Sequence, residues 1–458
     1  MQNFIVPLLG IAFLSLPVFA SEPPKDHVFN VRGFGAVGDG HTKDTVAIQK
    51  AIDTATVSGG GRVLLPPGTY LSGTIFLKSN IDFHLMAGAI LFGSPDKEDY
   101  NAPGFCPQNR VFSGDFMSGA HLVVAVEQEN VTISGRGRID GNGKAFLKDP
   151  DSDRFLPKNR LVWRPAQMLF LCECQNVTIR DVELFNSPYW TCFLHGCEEF
   201  LIDGVRIYNR PDTANGDGID IDCCQRGIIS NCQIESGDDC LTLRANEEPL
   251  KKKRPCEFIT VTNCVLKTAC QAVRAGVGNG IIRHCTFSNL VIHQTNIGLN
   301  FHSSYSPGSP GTTIENIRFD NITMDVKVPL TMTLGAAEDT TKIRNIYFRG
   351  ISGISRGTCP VGGWATNKLI NISFVDIDFT VPKEIKPFDA MQLLHINGLR
   401  LENVRFFELD KPGDPSPFAI KLTEIDNGVY ERCLPVPQDN PGGVLRVISG
   451  GRLRSAQQ

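Results

Sequence analysis

A short pattern recurs through most of the chain: a few alternating apolar residues, then Gly, Asn, Asp or His, then a second apolar alternation. VTISGRGRI, VTIRDVEL, FLIDGVRI, GIISNCQI, ITVTNCVL, IRFDNITM, ISFVDIDF and LRLENVRF are examples. Taking Ile179, Ile202, Ile229, Val261, Ile282, Phe319, Phe348, Phe374 and Leu401 as equivalent gives steps of 23, 27, 32, 21, 37, 29, 26 and 27 residues. Ile133 lies 46 residues before Ile179, about two such steps. Strand-period alternation with no helical pattern between units means that each unit buries its apolar face only by stacking on its neighbours. The expected fold is all-β, a right-handed parallel β-helix. The LxxLxL spacing of leucine-rich repeats and the WD dipeptide of propellers are both absent.

A solenoid core grows by adding coils, so residues 21–458 are expected to form one domain. One segment breaks the pattern. TKDTVAIQKAIDTA, Thr42 to Ala55, has helical spacing with a Thr or Asp cap before Val46, and is expected to cover the open N-terminal end of the solenoid. The last fifty residues, rich in Pro and Gly, are expected to give a terminal coil and a mobile tail.

A net charge of −4 over 458 residues, 41% of them hydrophobic, fits a soluble globular chain and carries no sign of a nucleic-acid binder. The N-terminus, MQNFIVPLLGIAFLSLPVFA, has an apolar run from Phe4 to Phe19 and a small-residue site after Ala20. Residues 1–20 therefore read as a secretory signal peptide, although no Lys or Arg precedes the run; an N-terminal membrane anchor is the alternative. No other stretch is long and apolar enough to span a bilayer, so the mature chain is expected to be exported, soluble and monomeric.

Fifteen cysteines are an odd number, so at least one is unpaired or intermolecular. Cys232, Cys264 and Cys285 occupy one position in three similar segments and are expected to be stacked, buried thiols. Cys172/Cys174 and Cys223/Cys224 could be bridged or bind metal, but no CxxC pair has zinc-like spacing. No metal and no cofactor are expected.

The chemistry concentrates in NGDGIDIDCCQRGIISNCQIESGDDCLTL, Asn215 to Leu243. Equivalent residues on successive coils lie about 4.8 Å apart. If Ile219, Ile221, Leu241 and Leu243 point inward, then Asp220, Asp222, Thr242 and Arg244 point outward, with Asp217, Asp238 and Asp239 at the strand entrances beside them. Carboxylates this close raise one another's pKa, which can keep one protonated as an acid while another stays ionised as a base. Glycosidic hydrolysis needs those two roles. The plain alternative is a solvated structural ladder of aspartates.

These residues also resemble family 28 of the glycoside hydrolases, the polygalacturonases and their relatives. The resemblance runs from about Val28 to about Phe406. It begins with FNVRGFGAVGDGHTKDTVAIQKAID and LLPPGTYLSGTIFLKSNIDFHLMAGAIL, which are similar to the family's entrance module. More specific are NSPYW at Asn186–Trp190, NGDGID at Asn215–Asp220 where the family usually reads NTDGID, and GDDC at Gly237–Cys240, in that order and spacing. The resemblance implies catalytic coils at about 186–303 and hydrolysis of a pectin-type acidic polysaccharide with inversion. It implies Asp238 as general acid, with Asp217 and Asp239 holding and deprotonating water. Acid and base in such a site stand roughly 6.5–9.5 Å apart, which suits the diagonal relation of Asp217 to Asp238.

The departures are specific. Where the family has GHG the chain has ACQAVRAG, placing Cys270 at the histidine position, and where it has RIK the chain has GLNFHS, giving Asn300 and His302. Arg274, on the VRA strand, is expected to point outward in line with Thr242 and Asn300, and with Arg244 and His302 to supply the charge that holds a uronate. Asn215 completes the expected substrate-binding set. Several relatives that cut rhamnogalacturonan also lack the histidine, so the resemblance admits a mixed or decorated pectic backbone. The basic run KKKR, Lys251–Arg254, could attract a polyanion or could be a solvated charged loop. Two other readings remain at this stage: a β-helix polysaccharide lyase and a non-catalytic carbohydrate-binding solenoid.

Overall fold

The computed structural model describes residues 27–109, 118–147, 163–304, 311–335, 341–386, 388–409, 418–439, 446–449 and 452–455. The expected signal peptide, residues 1–20, lies outside the described residues, as does part of the expected C-terminal tail.

Three parallel sheets run the length of a right-handed β-helix, each coil contributing one strand to each. The first sheet carries the recurring motif: Gly61–Leu65, Ile81–Leu85, Glu129–Gly135, Gln175–Arg180, Glu198–Asp203, Gln225–Ser230 and Cys256–Thr262 pair in register, one to the next. The second includes Arg138–Asp140, Glu183–Phe185, Arg206–Tyr208, Gln233–Ser236 and Val265–Thr268. The third includes Val123–Val126, Leu169–Cys172, Cys192–His195, Ile219–Asp222, Leu241–Ala245 and Gln271–Gly278. From Ile281 onward the turns tighten, so that single long strands, Ile281–His302 and Thr313–Thr333, serve all three sheets in succession. Among the described residues every pairing is parallel except the terminal hairpin of Arg446–Ser449 with Arg452–Ser455.

Alternation puts every second apolar side chain into one continuous core, where Phe287, Phe319, Phe348 and Phe374 stack face to face on consecutive coils with centroids 4.7, 5.4 and 4.9 Å apart. This row corrects the register read from sequence. Val261 pairs with Phe287, and Ile282 pairs with Cys256. Both candidates are buried, because the left-handed His284 between them shifts the alternation; the His284–Cys285 corner resembles the Asn263–Cys264 corner but belongs to the other bend of the coil. Ile133 pairs directly with Ile179, one step and not two, because a long connection between the second and third sheets lengthens that coil.

The cysteine expectation is corrected likewise. Cys285 lies in the row of Ile317, whereas Cys232 and Cys264 immediately precede the paired Gln233 and Val265. A longer thiol row went unread: Cys174, Cys197, Cys224 and Cys256 each precede one member of the register Gln175, Glu198, Gln225, Glu257, and all four are buried. All fifteen cysteines are free thiols.

Two corners of each coil require a left-handed residue. At one stand Asn130, Asn176, Asn316, Asn345 and Asn371, and at the other Asn231, Asn263, Asn289, Asn321 and Asn403, all with φ between 52° and 57°. Asn tolerates this region because its short side chain finds local partners. Here the amides bond along the stack, as in Asn371 Nδ2 to Asn345 Oδ1 and Asn345 Nδ2 to Asn316 Oδ1, both 2.9 Å. The NVT, NIT and NIS sequons begin at such corner residues.

The N-terminal helix, Thr45–Val57, buries Ile48, Ala51, Ile52 and Ala55 against the first coils. Asp44 holds the N-cap position, but its carboxylate accepts from the backbone of Val37 and Gly38 at 2.6 and 3.0 Å and makes no bond to the helix.

Candidate active site

The third sheet carries the candidate site on its outward face. Asp220 pairs with Thr242, Thr242 with Arg274 and Arg274 with Asn300, while Asp222 pairs with Arg244 and Gly276 with His302. Four consecutive coils thus present the outward row expected from the sequence. Asp217, Asp238 and Asp239 stand at the strand entrances, and with Asn215, Arg244, Arg274, Asn300 and His302 they line a single cleft of about 340 Å³. Trp190, Cys270 and Gln271 complete its wall.

Two glycines explain the tight entrances. A Cβ on Gly218 would lie 2.5 Å from the Cys240 carbonyl of the next coil, and one on Gly237 would lie 2.5 and 2.6 Å from the carbonyls of Thr213 and Arg210. Only glycine lets these turns nest. The Asp238 carbonyl is fixed by Ser236 Oγ at 2.7 Å and by Thr268 Oγ1.

The acids are held in a buried charge network. Arg244 is 6% exposed; it donates from Nε to Asp220 Oδ1 at 2.7 Å and from Nη2 to Asp217 Oδ2 at 3.2 Å, with its guanidinium 4.0 Å from the centre of the Trp190 ring. Arg274 donates from Nη1 to Asp239 Oδ2 at 3.1 Å. Burial, reinforced by the charges of Asp220, Asp238 and Asp239, pushes the Asp217 carboxyl well above the usual carboxylate range. Burial also raises Asp239 to about 6, opposed by Arg274, and Asp220 to about 6, opposed by Arg244. Asp217 Oδ1 and Asp239 Oδ1 are buried and have no hydrogen-bond partner among the described residues. These unpaired acceptors belong to side chains that line the cleft.

The remaining expected contacts are placed as follows. Asn215, left-handed at φ 54°, accepts on Oδ1 from Arg164 at 3.1 Å. Asn300 donates to Thr331 Oγ1 and His302 Nδ1 meets Thr333 Oγ1, each at 2.7 Å. Burial and the nearby Arg274 push the His302 imidazole pKa down. The KKKR run lies outside the cleft: Lys251 pairs with Glu127, Lys252 and Arg254 with Glu198, and Lys253 with Glu248. It is a charge-paired loop and offers the cleft no free cation.

Two supporting residues were not foreseen. Asn209 donates to Thr191 Oγ1 at 2.6 Å and Gly216 O at 3.0 Å while accepting from Ser187 N, tying the NSPYW turn to the NGDGID turn. Buried Arg164 donates to Pro188 O and Ala214 O at 3.0 and 2.8 Å. Neither sits on the alternating pattern, so no sequence signal marked them.

Among the described residues, two groups of side chains have metal-ligating atoms within 4.8 Å of one another: His195, Asp222 and Cys223, and Asp238, Asp239 and Cys270. In the first, Asp222 accepts from Asn246 N and Nδ2, both at 2.7 Å, and His195 Nε2 meets Asn246 O at 2.9 Å, so those groups are occupied in fixing a turn.

A parallel β-helix with three carboxyls gathered at one groove defines a carbohydrate-active architecture. Residues 109–386 match the model for glycosyl hydrolases family 28, and residues 28–135 match that for rhamnogalacturonase A/epimerase, pectate lyase-like. The first match spans more than half of the chain, which belongs to glycosyl hydrolases family 28. The chain is 27% identical over 364 residues to an exo-poly-alpha-D-galacturonosidase of Dickeya chrysanthemi, covering 69% of this chain and 58% of that protein. It is 29% identical over 227 residues to a probable polygalacturonase of Vitis vinifera, covering 48% of this chain and 44% of that protein. The chain thus spans about half the length of these relatives. Its fold is similar to that of an exopolygalacturonase from Thermotoga maritima, with a TM-score of 0.64 and 23% identity over 81% of this chain and 92% of that one.

Proposed function

We propose that this chain is an exported glycoside hydrolase that cleaves α-galacturonosyl linkages in a pectin-type acidic polysaccharide, homogalacturonan or rhamnogalacturonan, with inversion. The observation that carries this reading is the convergence of Asp217, Asp238 and Asp239 on one cleft. A binding solenoid needs no buried, mutually repelling acids, whose like charges and lost hydration cost stability. A lyase needs a base beside the uronate α-proton, commonly cationic; the cations at this cleft, Arg244 and Arg274, are each bonded to an aspartate.

In the proposed reaction Asp238, the most open of the three, protonates the leaving glycosidic oxygen. In this reading Asp217, at the entrance of the neighbouring coil, and Asp239 hold and deprotonate the attacking water. Burial and mutual repulsion push both carboxyls upward, opposed by Arg244 on one and Arg274 on the other. The carboxylate of the pair takes the proton from water as it attacks the anomeric carbon. Arg244 acts by positioning Asp217, since its guanidinium is already bonded to two carboxylates. Arg274 and His302 remain at the cleft wall, where a uronate carboxylate would meet them.

The test is product analysis after incubation with homogalacturonan and rhamnogalacturonan separately. New reducing ends without ultraviolet-absorbing unsaturated products support hydrolysis, and proton NMR of the first-formed anomer reads the stereochemistry. Unsaturated products would make the chain a lyase, and the absence of any product would leave a binder. Export is tested by sequencing the N-terminus of the secreted protein, which should begin at Ser21.

A further inference from the structure

Cys270 brings a soft ligand to a cleft otherwise lined by oxygen and nitrogen groups. Its Sγ and one carboxylate oxygen each from Asp238 and Asp239 lie within 4.8 Å of one another. Metal–ligand bonds of about 2.0–2.3 Å bring neighbouring ligand atoms somewhat closer than this, so a small rotamer adjustment converts the group into a tripod. One of these ligands also has an unsatisfied oxygen: Asp239 Oδ1 is buried without a hydrogen-bond partner among the described residues, on a side chain that is only 1% exposed. Four carboxyls, from Asp217, Asp220, Asp238 and Asp239, face two guanidinium groups, from Arg244 and Arg274, so the fully ionised cluster carries two uncompensated negative charges.

We propose that Asp238, Asp239 and Cys270 form a binding site for a thiophilic divalent cation, zinc or cadmium, which occupies the cleft and inhibits the enzyme. Binding exchanges one proton: the cation forms a bond to sulfur, the thiol S–H bond breaks, and the proton leaves to solvent with no change of oxidation state. Hard cations such as magnesium and calcium gain little from sulfur, so thiolate coordination selects zinc or cadmium over them. Binding depends only on this geometry; inhibition rests on the hydrolase reading.

The experiment titrates the mature chain with cadmium in the absence of polysaccharide, because pectic carboxylates bind divalent cations themselves. The expected result is a thiolate-to-cadmium charge-transfer band that saturates at one equivalent, with release of one proton and displacement by zinc. In C270S the affinity should fall by on the order of 100-fold or more, beyond the loss of an outer-shell contact. D239N, which keeps the thiol, should weaken binding as well, and circular dichroism on C270S and C270A checks that the fold survives. No band in the wild type, or an unchanged band in a folded C270S or C270A variant, overturns the site. In the hydrolysis assay zinc should inhibit wild type at a concentration at least about 100-fold lower than C270S. Cadmium binding without inhibition overturns the inhibitory role. If the wild type hydrolyses nothing, the hydrolase reading falls while the titration still tests the site.

Discussion

Arg274 Nη1 donates to Asp239 Oδ2 at 3.1 Å, reaching from one coil back to the entrance of the coil before it. The pair joins the side chain that departs from the family pattern to a carboxylate that belongs to it. Arg274 lowers the pKa of Asp239 against the upward pressure of burial, and the balance falls at about 6. One cation thereby opposes the burial of the proposed base while lining the cleft.

On the proposed mechanism activity should therefore fall as pH drops through about 6, when Asp239 takes up a proton. Arg274→Gln removes an opposite charge, which moves a neighbouring carboxyl upward by roughly one to three units. The acid limb of the pH profile of kcat/KM should shift up by at least about one unit, and KM should rise on a uronate-rich substrate. A limb that stays in place would separate Arg274 from the catalytic couple.

Asp238→Asn should lower kcat by roughly 100- to 10,000-fold, the range expected for loss of a positioned acid. Asp238 is only partly buried, so the thermal midpoint should move little. Reducing-end assays beside a melting curve check both halves; full activity in a folded variant would remove Asp238 from the acid role.

Much of this site was legible because it lies on a repeat. Once Ile219, Ile221, Leu241 and Leu243 face inward, alternation alone puts Asp220, Thr242, Arg274 and Asn300 in one outward row, and the strand register agrees. The long reach of side chains was not legible. Nothing in the motif says that Arg244 bends back to Asp217 and Asp220 under Trp190, or that Arg164 and Asn209 brace the entrance turns. Register also failed where alternation was richest. In GIIRHCTF both Ile282 and Phe287 face inward, and only the packing of Phe287 on Phe319 decides between them.

The raised carboxyls make a stability prediction whose sign is fixed. Asp239 has a folded-state pKa of about 6 against an ordinary value of 3.8, so the folded state binds the proton more tightly. The resulting stabilisation is present in full below about pH 4 and is lost as pH rises through about 6. A shift of this size corresponds to roughly 3 kcal/mol. Asp239→Asn does not titrate, so its thermal midpoint relative to wild type should climb between pH 4 and pH 7. A difference that is flat with pH would show that Asp239 titrates alike in the folded and unfolded chains.

The corner asparagines allow backbone strain and side-chain bonding to be measured apart. Asn345 sits at φ 57°, donates to Asn316 Oδ1 at 2.9 Å and accepts from Asn371 Nδ2 at 2.9 Å. Asn345→Ala loses both bonds and forces a Cβ-bearing residue without local partners into the left-handed region, which costs about 1–3 kcal/mol for the strain. Each lost bond adds roughly 0.5–1.5 kcal/mol, toward the low end at a corner that water reaches. Asn345→Gly loses the same bonds but adopts the left-handed conformation freely. Denaturant unfolding should therefore rank wild type above glycine above alanine, with the glycine–alanine gap giving the strain and the remainder giving the ladder. Equal losses in the two variants would mean that the amide ladder, and not the corner conformation, is what selects asparagine at these turns.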